Sequence, residues 1–224
     1  MLNGKDLSDL GAASSAQKER AAGGKEDRLI VGISGATGII YGIRLLEELH
    51  AAGVETHLVI SRAGEMTRSY ESPYSAGELR AKADVTYQIG DVGAAISSGS
   101  FRTLGMIIAP CSMRTLAEIA TGVTTTLLTR AADVCLKERR RVVLLVRETP
   151  LTTVHLRNML AATEAGAIVF PPVPAFYDRP ATVDDIVNHT VGRVLDLFDL
   201  DSGLVHRWGE PTHHELAHRN GKRA

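Results

Sequence analysis

Between Arg28 and Leu200 the chain alternates two hydrophobic patterns. Short unbroken apolar runs at 29–33, 105–109 and 142–146 read as strands buried on both faces, and 55–60, polar at its start and apolar from Leu58, reads as the second strand. Between them lie longer segments whose apolar residues recur every three or four positions. Ile39, Ile43 and Leu46, with Leu45 and Leu49, place a helix over 39–52. Ser75 and Glu78 form a capping box for a helix through Lys82. Further helices are predicted from near Ser112, from about Thr125 to Lys137, over 153–165, and from a cap at Thr182 through Phe198. Weaker strands fall at 85–89 and 167–170, and the small-residue stretch 94–100 fits neither pattern.

This alternation predicts an α/β fold: a single Rossmann-like (flavodoxin-like) domain with a doubly wound, mostly parallel sheet and helices on both faces. Ligands of such sheets bind beyond the carboxyl ends of the strands. Polar residues gather in the segments leaving those ends: Ser34 to Thr37, Ser61 and Arg62, Ser112 to Thr115, Arg147 and Glu148, and Phe176 and Tyr177.

The 224 residues, 44% of them hydrophobic, suffice for one sizeable core over 28–200. Residues 1–27 are rich in Ala, Gly, Ser and charge and read as a mobile arm; 201–224 form a polar, His-rich tail. The arm lacks the apolar centre of a secretory signal, and Asp6, Asp9, Glu19, Glu26 and Asp27 argue against a mitochondrial leader. Lys+Arg 25 against Asp+Glu 26 creates no bulk field that would draw nucleic acid or an anionic membrane. Cys111 and Cys135 make no disulfide framework and suit a reducing cytoplasm. No apolar stretch reaches the length of a membrane span.

The candidate chemistry starts at the first strand, which turns through Ser34-Gly35-Ala36-Thr37-Gly38 into a helix. Such a turn aims backbone N–H groups and the positive end of a helix at one spot, and a phosphate is the natural occupant. A tight turn without a ligand would look the same. A dinucleotide site needs G-x-G-x-x-G and an acid closing the second strand. Here the glycines are Gly32, Gly35 and Gly38 and the strand ends at Ser61, so a mononucleotide fits better.

Ser112-Met113-Arg114-Thr115 opens a second helix directly after a strand, although Ser112 read alone is a helix cap. Arg147 and Glu148 follow a buried strand, as a surface pair or as charges over the crevice. Lys137 with Arg139 to Arg141 reads most simply as the solvated cationic end of a helix. Tyr177 follows a proline-rich loop and could equally be a core aromatic; Arg193 alone carries no signal. His214 to His218 matches the H-E-x-x-H zinc pattern, but no third ligand or packed helix supports it, and no metal is expected.

The runs SGATGIIYG, ETHLVIS, ISSGSFRTLGM, APCSMRTLAEIATG, LLTRAADVCLKERR, LVRETPL and PPVPAFYDRP together resemble the UbiX-type flavin prenyltransferases, over about 28–200. The resemblance implies FMN as co-substrate and a metal-free transfer of the dimethylallyl group of dimethylallyl monophosphate to the reduced flavin. Bonds form at N5 and then C6, and the prenylated FMN serves a UbiD-type decarboxylase. By motif, FMN is expected at Gly35, Ala36 and Thr37, at Ser61, at Ser112, Met113, Arg114 and Thr115, and at Arg147. The dimethylallyl phosphate is expected at Lys137, Tyr177 and Arg193, with Arg130 and Glu71 lining the site. Glu148 is the expected proton-handling carboxylate, with Thr37 as a relay, and Lys137 and Arg193 stand in for a metal. Thr37 occupies a position where many members carry Ser. The resemblance also implies a dodecamer with sites at subunit contacts. Two other readings remain: a non-catalytic FMN-binding or carrier subunit, and an FMN-dependent cysteine decarboxylase, whose P-x-M-N motif this chain lacks after Pro110.

Overall fold

The computed structural model of the protein describes residues 27–205. The arm before Asp27 and the H-E-x-x-H run lie outside the described residues. Strands β1 (Arg28–Ile33), β2 (Glu55–Ile60), β3 (Val85–Tyr87), β4 (Gly105–Cys111), β5 (Arg141–Val146) and β6 (Ile168–Val169) form one sheet in the order β3-β2-β1-β4-β5-β6. Every pairing is parallel. The chain winds outward from β1 on one side and then returns to β4 on the other. That reversal opens a crevice at the carboxyl ends of β1 and β4.

The helices are α1 (Ile39–Ala51), α2 (Arg62–Glu71), α3 (Ala76–Arg80), α4 (Met113–Thr121), α5 (Leu127–Lys137), α6 (Thr153–Glu164) and α7 (Val183–Asp196). Successive side chains of a buried strand point to opposite faces, so each strand feeds two cores. Leu29, Val31 and Ile33 join Leu58, Ile107 and Val143 beneath the buried faces of α1 and α7. Ile30 joins Val59, Met106, Ile108 and Leu144 beneath α4 and α5. The doubly wound parallel architecture matches the sequence expectation.

Five elements differ locally from the sequence reading. Helix α2 has no apolar stripe and buries only Gly64. It is held instead by the Ser61 cap and by Glu65, which pairs with Arg68 at 3.0 Å and with Arg80. Strand β4 continues past Ala109 through a cis Ala109–Pro110 bond to Cys111, and a register shift against β5 accommodates a proline that has no N–H to give. Helix α3 stops at Arg80 rather than Lys82, and β3 and β6 are shorter than their apolar runs.

Candidate active site

The crevice is stitched together by one buried hydroxyl. Ser34 Oγ donates to the Pro110 carbonyl at 2.9 Å and accepts from the Ser112 N–H at 2.8 Å, which joins the exits of β1 and β4. The pattern of apolar runs gave no hint of this role, because Ser34 is polar yet fully enclosed. Ser112 in turn caps α4: its Oγ accepts from the Thr115 N–H at 3.3 Å and lies 3.1 Å from the Thr115 hydroxyl. The N–H groups of Met113 and Arg114, in the first turn, have no acceptor within their own helix. Ser61 repeats the arrangement on α2, where its Oγ accepts from Gly64 at 3.0 Å.

The first helix behaves differently. Glu71, the last residue of α2, accepts from the N–H of Gly38 at 2.8 Å and of Ile39 at 3.2 Å. The positive end of α1, which the sequence offered to a phosphate, already holds a carboxylate of the chain. Gly38 sits at φ 100°, left-handed, where a side chain is costly. Gly35 has a packing reason to be glycine: a Cβ there would lie 2.2 Å from the Ala63 Cβ of α2. The small residues therefore bring α2 onto the turn, and Ala36, Thr37 and Ser61 come together with it. Glu71 thus takes up the N–H groups of Gly38 and Ile39 at α1, while α4 and α2 are capped only by their own serines.

Arg147 and Glu148 leave β5 at the same edge, both exposed; the Thr149 N–H donates to Glu148 Oε1 at 3.0 Å. Arg130, in the first turn of α5, is paired with Asp133 at 2.7 Å, and Arg114 reaches Glu118 at 2.9 Å. Cys111 lies beside Ser112 but is no nucleophile, since burial pushes its thiol far up, and burial pushes the Cys135 thiol up to about 11.

Two expected substrate residues lie elsewhere in the same chain. Lys137 ends α5 just before β5 begins, so it stands at the amino-terminal edge of the sheet, beside Gly99, with Glu138 as its ion-pair partner. The length of β5, roughly 20 Å at about 3.3 Å per residue, separates it from Arg147. Arg193 sits in the last turn of α7, paired with Asp196 at 2.9 Å. Tyr177 is an exposed aromatic, not a core one, and its hydroxyl lies 3.1 Å from His189 Nε2. His189 went unnoticed in the sequence; its signal was the four-residue step to Arg193, which puts both on one side of α7. The carboxyl edge thus unites Gly35, Ala36, Thr37, Ser61, Glu71, Ser112 to Thr115, Arg147 and Glu148, while Lys137 and Arg193 stand apart from it within one chain.

A family model described as Flavoprotein matches residues 17–195. The flavin prenyltransferase UbiX of Thauera aromatica is 56% identical over 190 residues, covering 85% of this chain and 98% of that protein. The flavin prenyltransferase UbiX of Escherichia coli (strain K12) is 58% identical over 184 residues, covering 81% of this chain and 97% of its own length. The chain belongs to the UbiX-type flavin prenyltransferase family. Among solved structures, AnUbiX in complex with FMN and dimethylallyl pyrophosphate superposes with a TM-score of 0.82 at 52% identity, covering 83% of this chain and 99% of that one. A dodecameric FMN-dependent UbiX-like decarboxylase from Escherichia coli O157:H7 gives a TM-score of 0.79 at 53% identity, covering 82% of this chain and 100% of that one. The FMN-dependent cysteine decarboxylase TvaF, at 18% identity and a TM-score of 0.54, shares the fold alone.

As a UbiX-type flavin prenyltransferase the chain is a transferase that uses FMN. The donor set of the carboxyl edge fits that flavin: capped helix N-termini and hydroxyls for one phosphate, with Arg147 adjacent. No cluster of His, Cys, Asp or Glu among the described residues could hold a metal ion, and no helix among them is long and apolar enough to cross a membrane.

Proposed function

We propose that the protein transfers the dimethylallyl group of dimethylallyl monophosphate to reduced FMN and yields prenylated FMN for a UbiD-type decarboxylase, in the cytoplasm. The observation that carries the reading is the carboxyl-edge cluster of Ser61, Ser112 to Thr115, Arg147 and Glu148, set around the Ser34 bridge. Reduced FMN supplies the nucleophilic N5 and then C6. The chain's residues handle the other partner. When the allylic C–O bond breaks, its electron pair leaves on the phosphate, and Lys137, Arg193 and the Tyr177 hydroxyl stabilise that charge where other prenyl transfers use a metal. Closure at C6 adds across the allyl C=C, so one alkene carbon takes up a proton and C6 releases one; Glu148 or the departing phosphate carries these transfers, with the Thr37 hydroxyl as relay.

Lys137 reaches this chemistry from a second copy of the chain. The geometry of one chain supports that division, and the dodecameric relative supports an assembly able to provide it. The test is anaerobic mass spectrometry of reduced FMN incubated with dimethylallyl monophosphate and enzyme. A flavin heavier by one prenyl unit is expected, and unchanged flavin overturns the reading. Lys137→Ala and Glu148→Gln, each inactive alone, should regain part of the activity when refolded together, because mixed assemblies contain intact composite sites.

One observation favours the FMN carrier: both Lys137 and Arg193 already pair with carboxylates of their own chain. A carrier would retain FMN and leave its mass unchanged in the same experiment.

A further inference from the structure

Arg44, on α1, reaches across to α7. Its Nη1 donates to Asn188 Oδ1, its Nη2 lies 3.4 Å from Asp184 Oδ1, and its Nε donates to Glu47 Oε2 of its own helix at 3.2 Å. Glu47 also accepts from Lys82 Nζ at 2.8 Å, and Lys82 lies over the Tyr74 ring. Asp184 and Asn188 stand one turn apart on α7, so a single planar guanidinium fork grips two successive turns of that helix. The α1 side of the contact is fixed. A Cβ on Gly42 would lie 2.5 Å from the Ala109 carbonyl oxygen, so the backbone of α1 rests directly on β4.

The buried side of α7 is largely aliphatic: Val187, Val191, Val194 and Leu195 join Ile43 and Leu46 of α1 in one core. Such packing has no direction, so it holds α7 in place without choosing one rotation or one axial position. The Arg44 fork makes that choice. Asp184 is exposed, and its ion pair adds little stability; what the fork supplies is register. The groups it orients lie further round the helix. His189 and Arg193 follow Asn188 by one and five residues, about 100° and 140° around the axis, with Arg193 about 7.5 Å further along it. The Tyr177 hydroxyl lies 3.1 Å from His189. A rotation of α7 in its seat would therefore displace Arg193, His189 and, through His189, Tyr177 together.

We propose that Arg44 is a positioning residue for the prenyl donor: it fixes the seat of α7, and with it the place where Arg193 and Tyr177 meet the donor phosphate. The inference rests on the reading of those two residues as donor-phosphate groups. Arg44 itself is engaged by Asn188, Asp184 and Glu47 and acts only through α7. The flavin groups Ser61, Ser112 to Thr115 and Arg147 lie on elements that the fork does not touch. Loss of the fork is therefore a loss of donor binding and not of flavin binding.

Steady-state kinetics and flavin titration of the same variants test this. Arg44→Met keeps the aliphatic stem and deletes the fork. It should raise KM for dimethylallyl monophosphate about tenfold, with a smaller change in kcat and an FMN dissociation constant within about twofold of wild type. Asn188→Leu removes only the α7 end of the contact and should act the same way. Asn188→Asp still accepts from Arg44 and should keep the wild-type KM. An unchanged KM in Arg44→Met and Asn188→Leu overturns the proposal. An equal loss of flavin affinity, or the same rise of KM in Asn188→Asp, overturns it too, since neither follows from the register of α7. Hydrogen–deuterium exchange on flavin-free protein reads the seat without turnover. Amides from Val187 to Leu195 should exchange about tenfold faster in Arg44→Met, with those of β1 and β4 unchanged, and wild-type protection of α7 sinks the brace. Should the wild type form no prenylated flavin while α7 loosens as expected, the proposed reaction falls and the seat of α7 stands.

Discussion

Glu71 Oε2 accepts from the Gly38 N–H at 2.8 Å, so the last residue of α2 caps the first turn of α1 across 33 positions of sequence. Gly38 has no side chain with which to cap that helix itself. The contact fixes the turn that carries Ala36 and Thr37 against the helix that begins after Ser61. Glu71→Ala should cost about 1 kcal/mol of stability, the usual loss for a helix cap. Flavin affinity should fall as well, because Thr37 is no longer held. Thermal melts and FMN titration of the same variant check both, and a melt shift without any change in flavin binding would remove the positioning role.

Ser34 makes a sharper case. Replacing it by Ala leaves the Ser112 N–H inside the protein without its acceptor, while the Pro110 carbonyl keeps only the Ser34 N–H at 3.1 Å. The expected destabilisation is about 1–3 kcal/mol, measured by urea unfolding. FMN should bind more weakly too, since Ser112 is the cap of α4.

Stability should depend on pH through His57. This ring is buried on β2, with Nε2 2.8 Å from Glu55 Oε1 and Nδ1 2.9 Å from the Tyr87 hydroxyl. Burial lowers its pKa below the ordinary 6.5, outweighing the hydrogen bond and charge of Glu55, which act in the raising direction. The folded state thus favours the neutral ring and the unfolded chain takes up the proton first. His57 contributes its full stability above 6.5 and loses it as pH falls from there toward the depressed value. Melting temperatures measured downward from about pH 8 should begin to drop near that point. His57→Gln should flatten the drop; an equally steep decline in the variant would assign it to other groups.

Tyr177 and His189 should act together on the prenyl donor. Tyr177→Phe removes the hydroxyl expected on the phosphate and should raise KM for dimethylallyl monophosphate about tenfold. His189→Phe, which deletes the 3.1 Å partner of that hydroxyl, should raise the same KM with a smaller change in kcat. FMN affinity should stay near the wild-type value in both. Steady-state kinetics with each substrate varied in turn decides this, and an unchanged KM in Tyr177→Phe would remove the residue from the donor site.

Much of the architecture is written in near neighbours. Runs such as 29–33 and 142–146 must be strands, because continuous β-branched apolar sequence needs cover on both faces. Caps at Ser75, Ser112 and Thr182 are local, and so are readable wherever a helix is expected. Even the common location of the candidate residues Ser61, Ser112 to Thr115 and Arg147 follows from a rule about strand ends that needs no coordinates, while their expected ligand came from the resemblance. Helix α2 escaped because ion pairs and a cap hold it, and these leave no apolar period.

What tertiary structure alone decided is which of these ends meet and which do not. Glu71 closing α1, Ser34 bridging β1 to β4 and His189 meeting Tyr177 join residues whose separation in sequence carries no signal. The same holds for Lys137: as part of a charged run it looks like any helix end, and only the direction of α5 across the sheet shows that it stands at the far edge from Glu148. Periodicity reports how a segment is covered, since burial repeats with the geometry of a single helix or strand. Partnership depends on how the segments are stacked, and that is settled only when the whole chain has folded.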